Sequence, residues 1–224
     1  MNDPSMPRHG GPPHHPKIRS VIRQQREVSI NPTQQEMRAG FRGWNERGYL
    51  PHRDEPGLTQ FVTFRLADSF PSELREEWQA LWKLEDDRER RQRVEAWLDL
   101  GCGECHLKKE PVAALVFKAL RRFDGERYHL LAFTIMPNHV HVLMKVISIP
   151  VSRVVQSWKR FTANRANIIL NRRGRFWQED YWDTYMRDVE HEARTVRYIR
   201  NNPVKAGLVS DWKAWPWTYL SSEE

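Results

Sequence analysis

Two histidines one residue apart, in the segment MPNHVHVLM (136–144), have the type and spacing best suited to chemistry in this chain. On a β-strand alternate side chains share a face. His139 and His141 therefore project the same way, with Cα atoms about 7 Å apart, while Val140 and Val142 project into the core. Two imidazoles so placed can converge on one divalent ion and leave positions open for a phosphate oxygen. Imidazole nitrogen suits Mn2+, Zn2+ or Ni2+, and beside oxygen donors it also serves Mg2+. The competing account is a pair of solvent-facing histidines on an edge strand.

The surroundings favour ligation and an anionic partner. From Arg127 to Gln178 there is no acid, whereas nine cations fall in that window, among them Lys159, Arg160, Arg173 and Arg175. Residues 54–110 reverse the balance, with nine Lys/Arg against fourteen Asp/Glu. The net charge of +7 is thus concentrated around the histidines, as polyanion binding requires. Taken singly, each cation also fits an ordinary solvated surface.

A phosphate polarised by an ion needs an attacking group. The segment VEHEARTVRYIRNNPVKAGLV (189–209) has helical periodicity, with Val189, Ala193, Val196 and Ile199 in one stripe and a stop at Pro203. Tyr198 lies about 160° from Val196 at ~100° per residue, on the side that carries His191, Thr195 and Asn202, with Arg194 one turn back. A free phenol has a pKa of ~10 and is a weak nucleophile until cations or a metal-bound phosphate assist it. On the residues alone, a half-buried packing role for Tyr198 is the simpler account, and Tyr181 and Tyr185 compete for the chemistry.

Several elements must position these groups. Residues 1–45 mix Pro, Gly, His, Arg and Gln without apolar periodicity and are expected to lack regular structure. LTQFVTFRLA (58–67) alternates as a strand, with Phe61, Thr63 and Arg65 on one face and Val62, Phe64 and Leu66 on the other. Residues 72–110 are read as a helical insertion, with Leu74, Trp78, Leu81, Trp82, Val94, Trp97 and Leu98 packing inward. A helix over 111–125 follows, then the strands RYHLLAFTIM and HVHVLMKVI. A long helix after Pro150 buries Val154, Val155, Trp158 and Phe161, and the strand-like piece YWDTYM precedes the last helix. The order predicts an α+β fold, a ferredoxin-like antiparallel sheet with helices on one face plus the helical insertion. Domain limits of 46–218 follow, with 219–224 as a tail.

Some classes are disfavoured. No run approaches eighteen apolar residues and the N-terminus has no apolar leader region, so no membrane partner is expected and the location is read as cytoplasmic, at the nucleoid. CGECH (102–106) fits the C-x-x-C-H spacing of haem attachment, but that chemistry belongs outside the cytosol and no second C-x-x-C completes a zinc site. Cys102 and Cys105 are read as incidental thiols in a loop between helices, with zinc shared with His106 left open. Trp177, Trp182, Trp215 and Trp217 are candidates for base stacking, against the commoner use of tryptophan in packing.

MPNHVHVLM, SWKRFTA, GRFWQEDYWD and VRYIRNNPVKAGLV occur here in the order found in the REP-associated tyrosine transposases, a branch of the HUH single-strand nucleases, and the chain resembles that family over most of residues 40–220. The resemblance implies His139 and His141 as metal ligands and Tyr198 as nucleophile. It implies Asn202 as third ligand, where a neutral amide is a weaker donor than a carboxylate. It further implies a Mg2+ or Mn2+ cofactor, single-stranded DNA carrying hairpins as partner, and DNA contacts from Lys159, Arg160, Arg173 and Arg175. The expected activity is cleavage and strand transfer at palindromic hairpins through a 5′-phosphotyrosine, by a monomer or homodimer. The alternatives are a hairpin-binding protein that has lost turnover, and hydrolysis by a metal-activated water.

Overall fold

The computed structural model describes residues 32–47, 50–70 and 87–221. Its centre is a five-stranded antiparallel sheet. In chain order the elements are α1 (Gln34–Ala39), β1 (Gly43–Arg47), β2 (Leu50–Asp54), β3 (Thr59–Arg65), α2 (Asp87–Asp99), α3 (Glu110–Arg121), β4 (Tyr128–Ile135), β5 (His139–Val146), α4 (Val151–Ile169), β6 (Trp182–Tyr185), α5 (Val189–Lys205) and β7 (Thr218–Leu220), with short 3-10 turns at His106–Lys108 and Trp212–Ala214. The sheet order is β6-β3-β5-β4-β7, so the strand bearing both histidines is the central one.

The antiparallel α+β architecture is the expected one. The helices, however, cover both faces of the sheet. On one face Val62, Phe64, Phe133, Ile135, Val140, Val142 and Met144 pack against Val112, Val116 and Leu120 of α3 and Val151, Val154, Val155 and Trp158 of α4. On the other, Phe61, Ala132 and Leu143 meet Ile199 of α5. Alternation along β5 thus sends its valines to the first helical layer and its histidines to the second. The larger layer is tied by a buried network in which the Trp158 indole donates to the Tyr128 hydroxyl at 3.0 Å and that hydroxyl donates to the Leu120 carbonyl at 2.6 Å. Each polar atom is satisfied on burial, which avoids the desolvation cost of an unpaired one.

Three details differ from expectation, and part of the expected helical insertion lies outside the described residues. Residues 32–45 are ordered: Thr33 and Glu36 form a reciprocal capping box for α1, Phe41 enters the core, and β1 pairs with β2 as a hairpin. That hairpin is tied to β6 by a His52–Asp183 contact and by the Arg53 guanidinium, 4.8 Å above the Tyr185 ring. Residues 71–86, the first half of the expected helical insertion, lie outside the described residues. The second half folds as α2, which buries Val94 and Leu98 with Trp97 and Trp182 packed beside them, before a loop over 100–105. In α4 the buried stripe continues through Thr162 and Ala166, and Phe161 is exposed. The last helix runs through Pro203 to Lys205, because the following turn is closed by Ala206 N–H to the Asn202 carbonyl at 2.9 Å.

Among the described residues no helix is long and apolar enough to cross a membrane. Trp177 is a core residue whose indole donates to the Thr162 hydroxyl at 2.8 Å, and Trp215 donates to the Ile135 carbonyl at 3.0 Å.

Candidate active site

Register builds the site. β5 pairs with β3 so that Thr63 lies opposite His141 and Arg65 opposite His139, which puts Thr63 on the histidine face. The Thr63 hydroxyl lies 2.8 Å from His141 Nδ1, and the Asn138 amide oxygen lies 2.7 Å from His139 Nδ1. Their second nitrogens turn toward each other, with 3.0 Å between the two Nε2 atoms. Phe61 stacks on His141 at 5.3 Å between ring centroids.

Tyr198 completes the group from α5. Its hydroxyl is 3.4 Å from His141 Nε2 and its ring meets those of His141 and Phe61 edge-on. Asp188 starts α5 as its N-cap, accepting from His191 N–H at 2.6 Å, and the buried stripe is Thr195, Ile199 and Asn202. Val189, expected in that stripe, is 84% exposed at the first helical position. Arg194 is also not beside the phenol, since it pairs outward with Glu190 at 3.1 Å. A cation on this side is Lys205, paired with Asp99 of α2 at 2.9 Å.

Burial sets the electrostatics. Both imidazoles and Asn202 are only 1% exposed. Desolvation, then the Lys205 charge, pulls His139 down to about 3, and desolvation, then His139 and Lys205, holds His141 well below the ordinary histidine value. Both are therefore neutral near pH 7, as ligands must be. Desolvation, then the carboxylates of Glu95 and Asp99 on α2, raises Tyr198 above the ordinary phenol range, so the free phenol stays protonated.

The sign of the pH dependence follows. Each folded imidazole has a pKa below the unfolded value of 6.5, so the unfolded chain takes up protons first. Stability is complete above pH 6.5 and falls toward about pH 3, by at most ~1.4 kcal/mol per pH unit for each imidazole. Thermal unfolding with chelator present, compared at pH 7.5 and 5, is expected to fall more steeply for the wild type than for the His139→Leu/His141→Leu double variant.

The donor set fits a divalent ion. Two ligands about 2.1 Å from one ion at adjacent octahedral corners lie about 3.0 Å apart, which matches the Nε2 separation. The Asn202 amide, one turn beyond Tyr198, is buried, makes no hydrogen bond of good geometry among the described residues, and lies close enough to the Tyr198 hydroxyl to favour its ionised form slightly. No group of three His, Cys, Asp or Glu side chains among the described residues is placed to hold a metal. The same finding covers Cys102, Cys105 and His106.

Lys159, Arg160, Arg173 and Arg175 lie on α4 and the loop after it. That helix packs on the sheet face opposite the imidazoles. Lys159 donates to the Glu179 carbonyl at 2.6 Å and is pulled down to about 8 by burial, whereas the three arginines are exposed. Sequence reasoning missed Asn138, Thr63 and Glu95. Only Thr63 left a signal, by sharing a strand face with Phe61.

The centre is thus a buried imidazole pair on the central strand, faced by a tyrosine from a helix. The family model described as "Transposase IS200 like" matches residues 109–202, the segment that holds the histidines, Tyr198 and Asn202. Over 105 residues the chain is 28% identical to a Haemophilus influenzae protein named as a REP-associated tyrosine transposase, covering 41% of this chain and 58% of that protein. The chain thus spans little more than half the length of that curated relative. Among solved structures it is similar to a REP-associated tyrosine transposase bound to a REP hairpin, with a TM-score of 0.49 and 18% identity over 78% of this chain and 81% of that one. It is also similar to a Deinococcus radiodurans transposase, with a TM-score of 0.36 and 15% identity over 70% and 96%.

Proposed function

We propose that this chain cuts and transfers single-stranded DNA at hairpin sequences through a 5′-phosphotyrosine at Tyr198. The observation that carries the reading is the Tyr198 hydroxyl 3.4 Å from His141 Nε2, itself 3.0 Å from His139 Nε2. A phosphodiester seated against the imidazoles is then within reach of the phenolic oxygen. His139, His141 and Asn202 would hold the ion, Mg2+ or Mn2+. When bound it supplies Lewis-acid polarisation of the scissile phosphate.

Tyr198 oxygen attacks phosphorus, the bond to the 3′ oxygen breaks, and the phenolic proton is balanced by the proton the departing 3′-hydroxyl acquires. Bond energy is kept in the tyrosyl ester, so a second 3′-hydroxyl can reverse the step without ATP. Tyr198 and both histidines come from one chain, which supports a site that works within a monomer.

Incubation of the full chain with a 5′-tailed hairpin oligonucleotide and Mn2+ is expected to give an adduct that survives boiling in detergent. Binding without any adduct would favour the hairpin-binding protein that has lost turnover. For the DNA track we assign Arg160, Arg173 and Arg175 to the backbone, with Lys159 bracing the Glu179 turn behind them. Each arginine replaced by alanine is expected to lower the slope of log K against log salt by about 0.7–0.9. Fluorescence anisotropy between 50 and 200 mM salt, as an order-of-magnitude range, reads that slope.

A further inference from the structure

The amide of Asn138 faces two partners that leave it one orientation. One side lies 3.1 Å from the carbonyl oxygen of Cys102, which can only accept, so the amide nitrogen must point there. The amide oxygen therefore points at His139 Nδ1, 2.7 Å away, and can only accept from it. His139 must then carry its proton on Nδ1 and present a bare Nε2 toward His141 and Tyr198. Thr63 decides nothing of this kind for His141, because a hydroxyl both donates and accepts. With His139 Nε2 bare, the 3.0 Å contact to His141 Nε2 is attractive only if His141 carries its proton there in the metal-free protein. The Thr63 hydroxyl allows that by donating to Nδ1.

We infer that Asn138 is the positioning residue that fixes His139 as a donor through Nε2, and that the Cys102–His106 loop exists to hold Asn138 in that orientation. This rests on the metal reading given under Proposed function. The loop is built for rigidity. Gly103 has φ +86, and a Cβ there would meet the Asp68 carbonyl oxygen at 2.5 Å. Glu104 N–H donates to the Asp68 carboxylate at 3.0 Å, Cys105 Sγ donates to the Gly101 carbonyl at 3.0 Å, and Leu107 N–H donates to the Pro137 carbonyl at 3.1 Å. Leu66 N–H reaches the Asn138 carbonyl at 2.8 Å, so strand, turn and loop all converge on this residue, which is fully buried.

Partners of ligating histidines typically change metal affinity 10–100-fold when removed. Mn2+ affinity by calorimetry is therefore expected to fall about 10–100-fold in Asn138→Leu. In Asn138→Asp, which keeps an acceptor at Nδ1 but loses the bond to Cys102, affinity is expected to stay within a few-fold of wild type while the melting temperature drops. A purely structural role would lower both variants together. Long-range 1H–15N NMR of the metal-free wild type is expected to show His139 protonated on Nδ1 and His141 on Nε2, and this holds as a test if the leucine variant does not fold. Equal Mn2+ affinity in wild type and Asn138→Leu, or a His139 protonated on Nε2, would overturn the inference. A wild type that binds no Mn2+ would instead overturn the metal reading, leaving the NMR assignment to judge Asn138.

Discussion

Tyr198→Phe is expected to abolish the covalent adduct, lowering cleavage by at least about 10^3-fold, while the hairpin oligonucleotide still shifts on a gel. The substitution removes one oxygen and keeps the ring, so the edge-on contacts with Phe61 and His141 survive and the fold is little disturbed. Nothing else on α5 can replace the hydroxyl. Thr195 is committed to the His191 carbonyl at 2.9 Å, and Asn202 has no nucleophilic oxygen. The tyrosines that compete in sequence are engaged elsewhere: Tyr181 packs in the larger core layer and Tyr185 lies on the edge strand under Arg53. Cleavage that persists in Tyr198→Phe would indicate attack by water.

His141→Ala is expected to have the second largest effect. It removes a ligand nitrogen, the ring stacked on Phe61 and the surface against which Tyr198 is set. Mn2+ affinity should fall by more than the roughly 100-fold upper end for a residue that merely supports a ligand. The adduct should be absent at millimolar Mn2+, and hairpin binding should persist because the proposed arginine track lies on the opposite sheet face. Calorimetry and the detergent-resistant adduct read the two halves of the prediction.

The period of two in HVHVLM was enough to place both histidines on one side of a strand, and helical periodicity was enough to turn Tyr198 away from Val196. Which residues would meet them was not fixed by either rule. Thr63 reaches His141 through a strand register spanning 78 positions, and Asn138 gains its meaning from a carbonyl 36 positions earlier in a loop that carries no periodic signal. Glu95 sits on a helix whose pattern reads only as packing. Alternation also left open whether the histidine face was wet. It is dry because α5 and Phe61 cover it, so helices on both sides enclose the central strand. The ordered part of the N-terminal extension escaped notice because one capping box and one anchoring phenylalanine are too sparse to register against a Pro- and Gly-rich background.

Mass spectrometry of the purified adduct tests the nucleophile directly. After nuclease trimming, the expected result is a nucleotide joined through its 5′-phosphate to Tyr198, with a free 3′-hydroxyl on the released strand. A nucleotide on Tyr181 or Tyr185, or a cleaved strand bearing 5′-phosphate with no modified peptide, would contradict attack by Tyr198.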